Sequence, residues 1–281
     1  MHPASRPCLE ASTRSGRQPA GVPWRPSRGG SRLASRVRAG FAVLMGTFAA
    51  CCAAAELRIA APNAVKESLT EIAVAYERTS GHRLVFAWTG SEAISKRVGE
   101  GEVFDVVVNT SQGIERLARD GKLAVDSKTD FARSGVGVAV RAGSPRPDVS
   151  TVESLRQSLL GAGSIAISSG PSGRYLEALF QQLGVAEQIQ RRIKQPPSGM
   201  QISEMLARGE ADLGFQQITE LLHASGISYL GPLPAAVQHH TVWSAAIHAA
   251  APQADAARGF LRMLRAPDAL PAIRKTGLDP M

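Results

Sequence analysis

From residue 57 onward, short apolar runs alternate with stretches whose apolar positions recur every three or four residues. Leu57 to Ala61 reads as a short strand broken at Pro62. Asn63 is placed to cap a helix whose apolar positions Leu69, Ile72, Ala73 and Tyr76 keep helical spacing until Ser80-Gly81 stops it. Arg83 to Trp88 is a second strand, and Thr89-Gly90-Ser91 precedes a helix through Ile94 and Val98. Phe104 to Val108 is a continuous apolar run, as a parallel strand covered on both faces requires, and a helix over Gly113 to Arg119 follows it. This βαβαβα order predicts a parallel, doubly wound sheet.

A second set begins with a strand over Val136 to Val140, the turn Gly143-Ser144-Pro145 and a helix over Val152 to Leu159. Strand Ile165 to Ser168, loop Ser169-Gly170-Pro171-Ser172-Gly173, helix Tyr175 to Leu183, loop Pro196-Pro197-Ser198-Gly199, helix Ile202 to Arg208 and strand Asp212 to Phe215 continue it. Strand Ser228 to Leu230 reaches the stiff connector Gly231-Pro232-Leu233-Pro234. After that come a strand over His240 to Ile247 and helices over Ala254 to Leu264 and Asp268 to Lys275. The expected architecture is two α/β lobes, residues 56–133 with 240–281 and residues 134–239, joined by a two-segment hinge near Ala132 to Ser134 and Gln238 to Thr241.

Residues 1–55 differ in kind. Eight of the 32 basic residues lie there, all arginine, against one acid, Glu10, and so do all three cysteines. From Ala39 the chain runs AGFAVLMGTFAACCAAAEL, an apolar stretch after an arginine-rich one that ends in small residues. This is the pattern of a secretory signal, with cleavage expected after Ala55, and it is too short to span a membrane comfortably. Phe48-Ala49-Ala50-Cys51 also resembles a lipoprotein box, a less favoured variant. The long arginine-, serine- and proline-rich stretch before Gly40 fits a start codon nearer Val37. The formal charge of +8 is therefore mostly the leader's: residues 56 to 281 hold 24 basic against 23 acidic side chains. A nearly neutral body excludes nucleic acid as the expected partner and leaves no thiol for a disulfide, a zinc site or a nucleophile.

The body lacks a phosphate-loop motif, a Gly-x-Ser-x-Gly elbow and His-Glu-x-x-His, and Gly135-Val-Gly137 falls within a strand. His239, His240 and His248 fit no metal motif and are expected at the surface or a strand edge. Four strand-to-helix loops instead carry small hydroxyl, amide or glycine residues: Asn63-Ala64, Gly90-Ser91, Pro171-Ser172-Gly173 and Ser198-Gly199-Met200. Helix starts leave backbone N–H groups unpaired, so several converging at the strand carboxyl ends form an anion site without a cationic side chain.

At these loops the sequence resembles the periplasmic molybdate-binding proteins, solute receptors of ABC importers with a type II two-lobed fold. The resemblance covers nearly all of residues 56 to 281. It rests on Leu-Arg-Ile-Ala-Ala-Pro-Asn-Ala-Val-Lys-Glu-Ser-Leu (57 to 69), Gly90-Ser91-Glu92-Ala93-Ile94, Phe104-Asp105-Val106-Val107, Gly170-Pro171-Ser172-Gly173-Arg174-Tyr175 and Arg208-Gly209-Glu210-Ala211-Asp212-Leu213-Gly214. It implies an exported protein of the periplasm, expected as a monomer, that catalyses nothing, needs no cofactor or protein-ligated metal, and delivers a small molybdate-like anion to an inner-membrane permease. By the same resemblance Ser91 and Ser172 hold the ligand, Ser172 in a loop where the family donates through a backbone N–H; Gly199 or Met200 matches another backbone donor, and Asn63, Gly173 and Gln217 are further candidates. Ala64 stands where the family has a serine, with Asn63 the nearest polar substitute, and Gln217 stands where it has a tyrosine. With two hydroxyls gone, the Gln216-Gln217 pair, Arg174 and Lys66 fit a larger anion such as an organic carboxylate. Lys66 and Arg174 read equally as solvated helix-surface charges, and a periplasmic sensory or interaction module is the alternative from another class.

Overall fold

A computed structural model describes residues 54–196 and 200–281, so the leader, its cysteines and Pro197, Ser198 and Gly199 lie outside the described residues. The first elements are β1 (Glu56–Pro62), α1 (Lys66–Ser80), β2 (Arg83–Thr89), α2 (Ser91–Gly99), β3 (Val106–Thr110), α3 (Ser111–Arg119) and the long β4 (Thr129–Arg141). Next come α4 (Val152–Gly161), β5 (Ile165–Ile167), α5 (Pro171–Gln182), α6 (Ala186–Ile189), β6 (Ile193–Lys194), α7 (Ile202–Ala207), β7 (Leu213–Gln217) and α8 (Ile218–Leu221). The chain ends with β8 (Ile227–Pro232), β9 (His240–Ile247), α9 (Ala254–Leu264), α10 (Leu270–Lys275) and β10 (Asp279–Pro280).

The strands run in the order β2-β1-β3-β9-β4-β7-β5-β6, with β8 and β10 also on β4. β2, β1 and β3 are mutually parallel, as are β7, β5 and β6, while β4 and β9 pair antiparallel to each other and to these groups. The expected α/β class with two parallel-strand groups is therefore present, and the two long strands joining them, β4 and β9, lie side by side with Ser134 opposite Thr241 and Gly135 opposite His240.

Burial follows the same division. Leu57, Ile59, Leu69, Val106, Phe131 and Trp243 pack in one core with Phe260, Leu264 and Ile273, so α9 and α10 fold back onto the first strand group. Val136, Val138, Leu155, Ile165, Leu176, Phe180 and Phe215 form another. Burying this apolar surface, at roughly 25 cal/mol per Å², is what fixes each strand group beneath its helices.

Two sequence expectations are corrected. Asn63 caps nothing with its side chain: residues Asn63–Val65 form a 3-10 turn, and α1 starts at Lys66 after Val65. The turn buries Ala64 and Val65, which α1 begun at Asn63 would present differently. His248 is buried rather than at the surface, with its Nδ1 accepting from the Ala250 N–H at 3.1 Å.

Candidate functional site

The described parts of the four predicted loops meet at one cleft of about 590 Å³. Asn63, Ala64, Ser91, Ser172, Met200 and Gln217 all line it; Gly173 does not, and Gly199 lies outside the described residues. The cavity is of a size for a small organic or inorganic anion.

Two helices begin at its walls. α2 starts after Gly90, extended at φ −80° and ψ 154°, with no side-chain cap, so the first-turn N–H groups stay available. Asn109 fastens this start by donating through Nδ2 to the Ser91 carbonyl at 3.1 Å and to Ser95 Oγ at 3.0 Å. The Ser91 hydroxyl makes no hydrogen bond among the described residues. α5 starts after Gly170, again without a side-chain cap, and Pro171 in its first turn fits the preset φ there. Ser172 Oγ sits 3.0 Å from Ser168 Oγ, which leaves one hydroxyl hydrogen of the pair to donate onward. Gly173 shapes the loop rather than lining it, because a Cβ there would fall 1.6 Å from the Ser168 carbonyl oxygen. Converging uncapped helix starts supply fixed positive dipole ends to an anion.

The larger polar residues divide. Gln216 is engaged by protein: its Oε1 accepts from the Ile202 N–H at 3.2 Å and its Nε2 donates to Gln201 Oε1 at 2.6 Å. Gln217 is 3% exposed. Its amide oxygen accepts from Thr241 Oγ1 at 2.9 Å and its nitrogen donates to the Ser134 and Gly135 carbonyls at 3.2 Å, which satisfies both ends. The Gln pair is thus committed to the α7 start and to the β4–β9 crossing. Arg174 Nη1 donates to Glu92 Oε1 at 2.6 Å, linking α5 to α2 at a half-exposed position. Lys66 lines the cleft and makes no ion pair among the described residues.

Sequence reasoning missed three groups. Glu220, on α8, lines both the cleft and an adjoining cavity of about 370 Å³ shared with Lys66, Glu67, Thr219 and His223. Glu220 is only partly buried and reaches both cavities, yet the loss of water around it pushes its carboxyl up to about 7, against a smaller lowering by Gln216. Trp243 of β9 lines the cleft with its indole N–H buried and unpartnered among the described residues. Thr219 Oγ1, lining the adjoining cavity, is likewise without a partner. The available signal was the spacing of Ile218, Leu221 and Leu222 directly after β7, a helical turn at the strand end where α/β ligands sit. Among the described residues no cluster of three His, Cys, Asp or Glu is arranged to hold a metal ion.

Aconitate isomerase from Pseudomonas sp. is 33% identical over 231 residues, covering 80% of this chain and 88% of that protein. The molybdate-binding protein ModA of Rhodobacter capsulatus is 24% identical over 237 residues, 84% of this chain and 92% of that protein. In three dimensions the periplasmic molybdate-binding protein of Azotobacter vinelandii superimposes with a TM-score of 0.68 at 22% identity, covering 79% of this chain and 98% of that one. The likeness to molybdate-binding proteins expected from the loop motifs is borne out, and with the family model for bacterial extracellular solute-binding proteins matching residues 57–279, the chain belongs to that family.

Proposed function

We propose that this protein is an exported, periplasmic receptor that closes two lobes, residues 56–133 with 240–281 and residues 134–239, over a small organic polycarboxylate and delivers it to an ABC permease. The observation that carries the choice of ligand is the cleft itself: about 590 Å³, more than a compact tetrahedral oxyanion fills, with Lys66 making no ion pair among the described residues and the uncapped α2 and α5 starts on its walls. The serine and tyrosine positions of molybdate-binding relatives, occupied here by Ala64 and Gln217, remove oxyanion hydroxyl partners and favour the same side. Calorimetric titration with cis-aconitate, trans-aconitate, citrate, molybdate and sulfate tests it. Binding of at least one tricarboxylate at micromolar concentration with molybdate silent is expected; molybdate alone binding would return the site to oxyanions.

A second reading rests on the relative named aconitate isomerase. A cleft that holds an unsaturated tricarboxylate beside a carboxyl group titrating near neutrality also fits conversion of that acid. The expectation of a purely binding protein then gives way to an isomerase on a receptor fold.

A further inference from the structure

We propose that Glu220 is the proton-transfer group of this cleft, carrying a proton from one carbon to another of a bound unsaturated polycarboxylate. The inference rests on the polycarboxylate reading above and adds to it a residue and a chemical step.

Two carboxyl groups line the cleft among the described residues, Glu92 and Glu220. Glu92 is half exposed and held by Arg174, so its charge is neutralised at the rim. Glu220 has no ion pair among the described residues and forms part of the wall between the cleft and the adjoining cavity. Through that second cavity, past the unpartnered Thr219 hydroxyl and the half-exposed His223–Glu67 pair at 2.9 Å, it exchanges protons with solvent without opening the ligand side. The charged and titratable side chains sharing its cavities are Lys66 and Glu67 of α1, Glu92 of α2 and His223 just beyond α8. Tyr229 on neighbouring β8 packs with Ile218 and Leu221 around Gly137 instead. A carboxyl held near 7 by burial is matched to proton transfer at neutral pH.

The step balances within ligand and side chain. Ionised Glu220 removes a proton from the methylene carbon beside the C=C bond. The electron pair of that C–H bond forms a new double bond, the old one opens toward its far carbon, and that carbon takes the proton back from the Glu220 acid. One C–H bond breaks, one forms, and nothing is oxidised, reduced or hydrated. Charge built up in between spreads onto the ligand carboxylates, toward Lys66 and the helix starts that line the cleft.

The full chain is incubated with cis-aconitate in deuterated buffer and followed by NMR for deuterium incorporation and for trans-aconitate. Glu220→Gln and Glu220→Asp are run alongside, with calorimetry of each. Expected are exchange and isomerisation by the wild type, both reduced about 10²- to 10⁴-fold in Glu220→Gln with affinity kept within threefold. Partial activity is expected in Glu220→Asp, and a wild-type kcat/KM that rises with pH through about 7. Binding without exchange or isomerisation overturns the inference and leaves the receptor reading standing. So does a Glu220→Gln rate within tenfold of wild type. Absence of binding by either aconitate and citrate sinks both.

Discussion

At Gly173 a single hydrogen in place of a methyl group decides whether the α5 loop can form. A Cβ would collide with backbone rather than with a flexible side chain, so no rotamer change relieves it. Gly173→Ala should cost about 1–3 kcal/mol of stability and displace Ser172, weakening ligand binding more than stability; a Tm and Kd both unchanged would refute the contact. Trp243 makes the opposite case, a large side chain whose one polar atom lacks a partner. Trp243→Phe should weaken a carboxylate ligand about tenfold by calorimetry, in line with about 1–3 kcal/mol for a buried donor left unmade. An unchanged Kd would show that the N–H does not face the ligand. Ser91 and Ser172 were legible because hydroxyls at helix starts follow from local chain order. Trp243 was not, since its position in the middle of a strand reads as core until β9 is seen passing beneath the cleft.

Helix starts in this protein differ in how they are closed, and several besides α2 and α5, such as α1 and α9, lack a side-chain cap. α3 and α4, away from the cleft, are closed by side chains: Thr110 Oγ1 accepts from the Gly113 N–H at 3.1 Å, and Thr151 and Ser154 form a reciprocal capping box. α2 and α5 begin after glycines that cap nothing, so their donors stay free at the cleft. Gly90 has ordinary extended angles and open space where a Cβ would sit. Gly90→Asp should therefore stabilise the ligand-free protein by only about 0.3 kcal/mol by capping α2, and lower anion affinity at least tenfold by placing a carboxylate over the same donors. A variant that binds as tightly as wild type would mean that α2 does not contribute to the site. The glycine-before-helix pattern was readable in the sequence. The 3-10 turn ahead of α1 was not, because Asn63 has the composition of a cap and only packing of Ala64 and Val65 moves the helix start to Lys66.

At the scale of the molecule, the two strand groups are joined by β4 and β9 and by pairs that reach across, Arg174 to Glu92 and His223 to Glu67. Gln217 reaches Thr241, and Gln238 Oε1 accepts from the Val136 N–H at 2.8 Å, so the crossing is braced from both sides. Glu220, on the wall of this cleft, changes its charge state near pH 7. The order of elements was legible from periodicity, but this acid was not, because the cavities it lines are shared with Asn63, Lys66 and Gln201, which are distant in sequence. Its effect on stability has a definite sign. The folded carboxyl titrates at about 7 against an ordinary 4.5, so between those values the folded state binds more protons than the unfolded chain. Stability from this group is thus present below about 4.5 and lost as pH rises through about 7. In Glu220→Gln that loss is absent. Other titrating groups, including His239 and His248, whose protonated forms burial disfavours, act equally in both proteins and cancel in the difference. Thermal unfolding of ligand-free wild type and Glu220→Gln should coincide near pH 4, where the acid is neutral like the amide in both folded and unfolded chains. The variant should then pull ahead by several degrees at pH 8, and a Tm difference constant across that span would mean that Glu220 is charged throughout and the cleft wall is wetter than its packing implies.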